Sequence, residues 1–145
     1  MIRAATSNDL DQLTELFHGY RAFYGKPRQD KAGEFLQSRL RERDSEIFVS
    51  DVNGILTGFV QLYPLFSSTR LARYWLLNDL FVHADHRGSG YSKALIERAK
   101  KLCRDTDACG MYLETGKDND IGNSLYPSAG FELLDEVNFY EWATT

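Results

Sequence analysis

The chain has 145 residues, 43% of them hydrophobic, which is enough to bury the core of one domain spanning residues 1–145. The chain has a net charge of −4, whereas nucleic-acid binders usually carry an excess of basic residues, so no nucleic-acid partner is expected. Two cysteines without metal-ligand spacing and the lack of ~20 consecutive apolar residues argue against a disulfide scaffold, a metal site and a membrane span. We therefore expect a reduced, cytoplasmic protein with no membrane partner.

Periodicity and turn signals predict seven strands and four helices. In chain order they are a strand at 1–6, a helix through Leu10–Tyr20, a helix around Phe35–Leu40, strands at Glu46–Val52, Ile55–Phe66 and Arg73–Val82, a helix at Lys93–Arg104, a strand at Met111–Thr115, a helix at Asn119–Ala129, and strands at Phe131–Leu134 and Asn138–Trp142. Asn53-Gly54 predicts a type I′ hairpin turn between two of these strands.

This element order predicts the α+β class, with a mixed, mostly antiparallel sheet of six to seven strands flanked by about four helices. The early strands are joined as hairpins. The strand-helix-strand unit in the middle of the chain should be parallel and right-handed. Since the sequence contains no repeats, linkers or low-complexity tracts, we expect a single domain.

A Gly-rich basic turn connects the apolar strand ending at Val82 to the helix that follows it. Gly88 and Gly90 let the chain adopt φ values that are closed to other residues. The first amides of the helix have no intrahelical partner, and together with the helix dipole they favour a phosphate group. Arg87 adds a positive charge. The turn therefore predicts a site for a phosphate-bearing ligand.

Other interpretations of this turn are possible from its residues alone. The dinucleotide fingerprint G-x-G-x-x-G needs a third glycine where this chain has Lys93, and the triphosphate loop G-x-x-x-x-G-K-[ST] is absent. A tight turn without any ligand is the simplest alternative, and the turn by itself does not exclude it.

Two motifs in the chain occur together in the order and spacing of a known family. The first is Asn78-Asp79-Leu80-Phe81-Val82 followed by Arg87-Gly88-Ser89-Gly90-Tyr91-Ser92. The second is the run 119–131, which begins with Asn119 and contains Leu125-Tyr126 and Gly130-Phe131. These motifs resemble the GNAT superfamily of acetyl-CoA-dependent N-acetyltransferases, of the type that acetylates small amines or amino acids. The resemblance covers nearly the whole chain and implies the GNAT acyl-CoA N-acyltransferase fold.

The resemblance implies acetyl-CoA as the acetyl donor, with no metal. The loop amides would hold the pyrophosphate of coenzyme A, and Ser92, which replaces the usual Gly or Ala, would preserve this contact. The strand before the loop would pair with the pantetheine arm, for which it must splay from Met111–Thr115. Asn119 would touch the pantetheine or fix the parting strands. The implied cofactor-binding residues are Leu80, Phe81, Val82, Arg87, Gly88, Ser89, Gly90, Tyr91, Ser92 and Asn119.

Direct attack of an amine through a tetrahedral intermediate requires an acid for the leaving thiolate and a path for the amine proton. The resemblance implies Tyr126 as the acid, although Pro127 predicts that the helix kinks or ends there. Asn78 stands where some relatives carry Glu, and it cannot act as a base. A water chain, Asp79 and Glu114 remain candidates for the proton path. Asn78 and Asp79 should point to opposite faces of the sheet unless a bulge intervenes.

In this superfamily the acceptor pocket forms from the first two helices and the hairpin strands. The implied substrate-binding residues are Tyr20, Tyr24, Tyr63 and Asn78. The tyrosines could make cation–π contacts with an amine, with Arg21 and Arg28 near an anionic group, or they could simply pack a helix on the sheet. A primary amine of a small molecule is expected. A protein or peptide acceptor stays open, as does an acyl-CoA-binding module with weak or no catalysis, which Asn78 and Pro127 suggest.

The aromatic run Phe139–Trp142 near the carboxyl end is predicted to be a strand. As in many relatives, it would pair across the boundary of a homodimer, or it would form an edge strand within the chain. The sequence leaves both arrangements open.

Overall fold

A computed structural model describes residues 1–145 of the protein, which form two compact units, residues 1–114 and residues 115–145. The first unit holds a five-stranded sheet and three helices, and the second holds one helix. The expectation of one domain spanning the whole chain stays a prediction.

The first unit contains β1 (Ile2–Ala4), α1 (Leu10–Phe23), α2 (Lys31–Glu42), β2 (Glu46–Val52), β3 (Ile55–Ser67), β4 (Ala72–Val82), α3 (Tyr91–Asp105) and β5 (Met111–Tyr112). The strands follow one another across the sheet in chain order. Neighbouring strands from β1 to β4 are antiparallel, and β5 runs parallel to β4. The predicted α+β class and the mixed, mostly antiparallel sheet are thereby confirmed.

The two faces of the sheet are covered by different helices. On one face, α1 and α2 bury their apolar stripes against β2 and β3 in a cluster that includes Leu13, Phe17, Leu36, Val49 and Phe59. The long helix α3 packs against β2, β3 and β4 and buries its own apolar stripe, which comprises Leu95, Ile96, Ala99 and Leu102. Burial of these helical stripes holds the long strands β3 and β4 between two layers of helices.

The turn between β2 and β3 adopts the conformation that its sequence predicts. Asn53 and Gly54 have φ values of +52° and +87°, and a type I′ turn requires positive φ at both central residues. The hairpin that follows, between β3 and β4, is the longest in the sheet, and β4 leads directly to the Gly-rich loop.

The predicted number of strands is too high, because the structure has five strands rather than six or seven. Phe131–Leu134 and Asn138–Trp142 are not strands, and β5 is shorter than the predicted Met111–Thr115. Most residues from 131 onward are exposed, among them Leu133, Tyr140 and Trp142. A β-rich sequence becomes a strand only when a neighbouring backbone pairs with it, and the pattern of side chains does not supply that neighbour.

The second unit contains α4 (Asp120–Ser128) and the carboxyl-terminal segment. The predicted helix Asn119–Ala129 is present as α4, which does not end at Tyr126 but continues through Pro127 to Ser128. None of the helices has the combination of length and hydropathy that a membrane crossing requires.

Candidate functional site

A β-bulge at Asn78 is the feature of β4 that determines where Asp79 points. Leu62 of β3 pairs with Leu77, but the adjacent Gln61 pairs with Asp79, so Asn78 is an extra residue in β4. Trp75, two residues before Leu77, faces α3, because its indole N–H donates to Thr106 at 3.0 Å. Without the bulge, Asp79 would follow the same alternation onto that face. The bulge reverses the alternation and brings Asp79 to the face that α1 covers.

Asp79 is buried, with 3% of its surface exposed, and its carboxylate accepts hydrogen bonds from several side chains. Gln61 Nε2 donates to Oδ2 at 2.7 Å, and Asn78 Nδ2 donates to Oδ1 at 2.9 Å. The Tyr20 hydroxyl lies 3.2 Å from the Asn78 carbonyl and also within hydrogen-bond reach of the Asp79 carboxylate, so its single proton serves both acceptors. Burial raises the pKa of Asp79 above its usual value, and the three hydrogen bonds oppose this rise.

The three tyrosines predicted to bind the acceptor lie around this carboxylate. Burial and the charge of Asp79 raise the pKa of Tyr24, and they raise the pKa of Tyr63 to about 12. The Tyr20 and Tyr24 rings meet edge to face at 5.2 Å, and Tyr20 also packs against Phe59. We call Tyr20, Tyr24, Tyr63, Asn78 and Asp79 the carboxylate cluster. The fold thus brings together residues from α1, the end of α1, β3 and β4.

The edge of β4 that faces β5 is open beyond a short ladder. Only Trp75 and Leu76 pair with β5, so Leu77–Val82 has no strand partner on that side. The N–H of His83 donates to the Thr57 carbonyl of β3 at 2.9 Å. Along a strand, successive residues direct their N–H and C=O groups to opposite edges, so Val82 and Leu80 direct these groups to the open edge. Phe81 directs its backbone groups to β3. As predicted, β4 and β5 part after two residue pairs, and the unpaired edge of β4 is about 16 Å long at the usual rise per residue.

The Gly-rich loop has the backbone conformation that its glycines predict. Gly88 and Gly90 have φ values of +81° and +83°, and a Cβ added to either residue would meet no atom within 4 Å. The backbone bonds of α3 begin with the Ala94 N–H donating to Gly90, so the three preceding amides have no acceptor within the helix. The first turn of α3 contains no acidic residue. The loop is therefore an exposed cradle of amides suited to an anion.

Arg87 fastens the beginning of this loop to the end of β4. Its Nε donates to the Val82 carbonyl at 3.0 Å, and its guanidinium lies 5.6 Å from the centre of the Phe81 ring. The same ring also packs closely on α1, where a Cβ on Gly19 would come within 2.9 Å of Phe81 Cζ. The loop and α1 therefore share Phe81 as a common contact.

The remaining predicted residues, Asn119 and Tyr126, lie in the second unit. Asn119 caps α4: its Oδ1 accepts from the Gly122 N–H at 3.2 Å, and its Nδ2 donates to Thr115 at 2.9 Å. The Tyr126 ring packs edge to face on Phe131 at 5.7 Å. The predicted contacts of these two residues with acetyl-CoA stay predictions.

Two arginines that the sequence analysis placed near an anionic group are held by the chain itself. Arg28 makes a bidentate pair with Glu15 at 2.6 and 3.1 Å, and Arg21 Nη1 donates to the Pro27 carbonyl at 2.8 Å. Gln61 belongs to the hairpin region where the resemblance puts the acceptor pocket, but its contact with Asp79 was not predicted, although a glutamine between Val60 and Leu62 in an apolar strand is a signal of a buried polar contact.

Comparison with known proteins gives consistent results. Residues 13–131 match the model of the Acetyltransferase (GNAT) family. An uncharacterized N-acetyltransferase of Bacillus subtilis (strain 168), YhfO, is 37% identical over 132 residues, covering 90% of this chain and 89% of its own. A protein of Haemophilus influenzae named "Probable acetyltransferase" is 32% identical over 92% of this chain and 90% of its own. A crystal structure titled as that of a probable acetyltransferase is 36% identical, with a TM-score of 0.94 over 100% of this chain and 98% of its own.

Proposed function

The chain belongs to the GNAT family of acetyltransferases, which use acetyl-CoA as a cosubstrate, and we propose that it acetylates a primary amine of a small molecule. The observation that carries this proposal is the bulge at Asn78. It sets a buried carboxylate beside three tyrosines, on a strand whose other edge is open for the donor.

The donor fits the residues that follow the bulge. In our proposal, the backbone amides of Gly88–Ser92 hold the pyrophosphate, which fits because there is open space beside both glycines. Arg87 fixes the loop to the end of β4 through its hydrogen bond to Val82. The backbone groups of Leu80 and the N–H of Val82, which point to the open edge, pair with the amides of the pantetheine arm, and the Phe81 ring packs on the α1 side of the sheet. Asn119 contributes to donor binding by capping the start of α4. Acetyl-CoA supplies the activated thioester.

The carboxylate cluster prepares the amine. A protonated primary amine is attracted by the Tyr20, Tyr24 and Tyr63 rings and by Asp79, a combination of aromatic faces and negative charge that suits a cation. Neutralising a lysine-like amine at pH 7 requires about 4.5 kcal/mol. We propose that the proton passes to Asp79 through the half-buried Tyr20 hydroxyl, which hydrogen-bonds it. The raised pKa of Asp79 brings its proton affinity closer to that of the amine.

The neutral amine nitrogen then attacks the acetyl carbonyl carbon, forming the C–N bond of a tetrahedral intermediate. A backbone amide of the Leu80–Val82 edge donates to the oxyanion. As the C–S bond breaks, the sulfur takes the phenolic proton of Tyr126. The excess proton on nitrogen passes through water to the Tyr126 phenolate, which leaves the neutral amide, and Asp79 releases its proton to solvent. In this scheme Asp79 is the base and Tyr126 is the acid.

The experiment that tests this proposal measures thiol release from acetyl-CoA by the purified protein. The panel contains alkylamines, diamines, amino acids and amine-terminated peptides, with products identified by mass spectrometry. Turnover of a small amine with matching mass gain of the acceptor is expected. Turnover confined to peptides would replace the small-molecule acceptor by a protein one. Tight acetyl-CoA binding without turnover of any amine would indicate an acyl-CoA-binding module instead.

We also propose that the protein is a homodimer through its carboxyl-terminal segment. Leu133, Phe139, Tyr140 and Trp142 are each more than 60% exposed, which is unusual for large apolar side chains so close together. Light scattering after size exclusion is expected to give twice the chain mass of 16.6 kDa. Tyr140→Glu with Trp142→Glu should yield a monomer, and a monomeric unmodified protein would contradict the proposal.

A further inference from the structure

A buried polar chain leads from Asp79 through Gln61 to Ser45. Gln61 is fully buried in β3 and donates from Nε2 to Asp79 Oδ2 at 2.7 Å. On the other side of the same amide, Gln61 Oε1 accepts from the Ser45 hydroxyl at 2.9 Å. Ser45 lies immediately before β2, so the chain connects three separate parts of the first unit.

The orientation of the Gln61 amide follows from these two contacts. A carboxylate only accepts, so the amide must turn its NH₂ group to Asp79. A hydroxyl can donate, so Ser45 suits the amide oxygen that remains. If the amide were reversed, its oxygen would face the Asp79 carboxylate at 2.7 Å, and two buried acceptors would oppose each other. Ser45 therefore stabilises the orientation in which Gln61 donates.

We propose that Gln61 is the positioning residue for Asp79, and that Ser45 holds Gln61 in its donating orientation. This inference rests on the proposed function, in which Asp79 is the base. The Gln61 bond fixes one carboxylate oxygen, so the other oxygen, Oδ1, stays directed to Asn78 and the exposed end of the cluster. The same bond favours the ionised carboxylate, which keeps the base available at lower pH than burial alone would allow.

Gln61→Met tests the proposal directly, because methionine has a similar length but no donor. Loss of a hydrogen bond to a charged group should raise the pH at which Asp79 becomes protonated. We expect kcat/KM to fall about tenfold at a pH on the acidic limb, and by less than about twofold well above it. Ser45→Ala should move the limb in the same direction by less, because Gln61 can then rotate.

Gln61→Glu keeps the size of the side chain and places a second carboxyl group beside Asp79. Two carboxyl groups at this distance share a proton, so the acidic limb is expected to move further than in Gln61→Met. Thr57→Val is the matched control. It removes another buried hydrogen bond of β3, from Thr57 Oγ1 to Ser50 Oγ at 2.8 Å, and should lower stability without moving the limb.

The result that would overturn this proposal is a Gln61→Met variant whose activity falls by the same factor at every pH, since that would indicate a structural role only. A titration of the Asp79 carboxyl carbon by ¹³C NMR gives the same information without turnover. If the wild-type protein acetylates no amine but its Asp79 titration moves in Gln61→Met, the proposed function fails while the positioning contact stands. If the Asp79→Asn variant loses the acidic limb and Gln61→Met does not move it, only this inference fails.

Discussion

The Gly-rich loop follows β4, and the carboxylate cluster surrounds Asp79 of the same strand, but the two sites are built in different ways. The loop consists of consecutive, mostly exposed residues whose backbone conformation creates the site. The cluster is largely a set of side chains from α1, β3 and β4, gathered around a carboxylate that is 97% buried. The loop therefore depends on local conformation, whereas the cluster depends on the assembly of the sheet and on one bulge.

This difference predicts that variants of the cluster alter the pH dependence of turnover. Asp79→Asn should lower kcat/KM at pH 7 by about 10²–10³-fold, the usual contribution of a general base. In the wild-type protein, kcat/KM should fall as the pH drops through the raised pKa of Asp79, because the protonated carboxyl cannot accept a proton. The variant should lack this limb. Asp51→Asn, which changes a carboxylate of β2 that Arg3 binds, is the control and should retain it.

Tyr126→Phe tests the acid proposed in the second unit. Because a thiolate is a good leaving group, the loss of kcat should be modest for a general acid, about 10–100-fold, with the KM for acetyl-CoA unchanged. Tyr140→Phe, at an exposed tyrosine of the same unit, should have no effect on kcat. Equal kcat values for Tyr126→Phe and the wild-type protein would remove Tyr126 from the mechanism.

Variants of the loop should change the affinity for the acetyl donor rather than the pH dependence of turnover. Gly90→Ala forces a side chain into a φ of +83°, and we expect the Kd for coenzyme A, measured by calorimetry, to rise about tenfold as the amides shift. Gly54→Ala is a matched control, since Gly54 has a φ of +87° and equally open surroundings but lies in the β2–β3 turn. It should lose similar stability, about 1 kcal/mol, and keep its affinity. Equal affinities in both variants would contradict the proposed loop.

The smallest effects are expected in stability, where two buried aspartates should behave in opposite ways. Burial raises the pKa of Asp79, so its ionisation destabilises the fold, and that destabilisation grows as the pH rises through the pKa of the folded state. Asp79→Asn should therefore raise the Tm at pH 7 by a few degrees and change it little at pH 3. Exposed Asn78 can turn away from the new amide.

Asp9 provides the opposite case. Its bidentate bonds from Arg3, both 2.8 Å, lower its pKa, so its contribution is present above the unfolded pKa and is lost as the pH falls through the folded one. Asp9→Asn should lower the Tm at pH 7 by about 5 °C, and the difference should shrink at low pH. Circular dichroism melts of both variants at pH 7 and pH 3 check the two signs. A decrease in Tm at pH 7 in both variants would show that burial does not determine the pKa shift of Asp79.

Features that depend on neighbouring residues could be predicted from the sequence. The type I′ turn at Asn53-Gly54 and the positive φ values of Gly88 and Gly90 follow from the conformational limits of asparagine and glycine. The apolar periodicities of α1 and α3 likewise gave the buried faces and the class of the fold.

Contacts between residues that are distant in the chain could not be predicted in this way, because they depend on how the strands and helices pack. A bulge in β4 depends on register against β3, and no residue pattern within β4 shows that Asp79 joins the α1 face and contacts Gln61. The same limit explains the overestimated strand count, because Phe139–Trp142 has the composition of a strand but is not part of the sheet. Local conformation is a property of a few consecutive residues, whereas pairing and burial are properties of the whole chain.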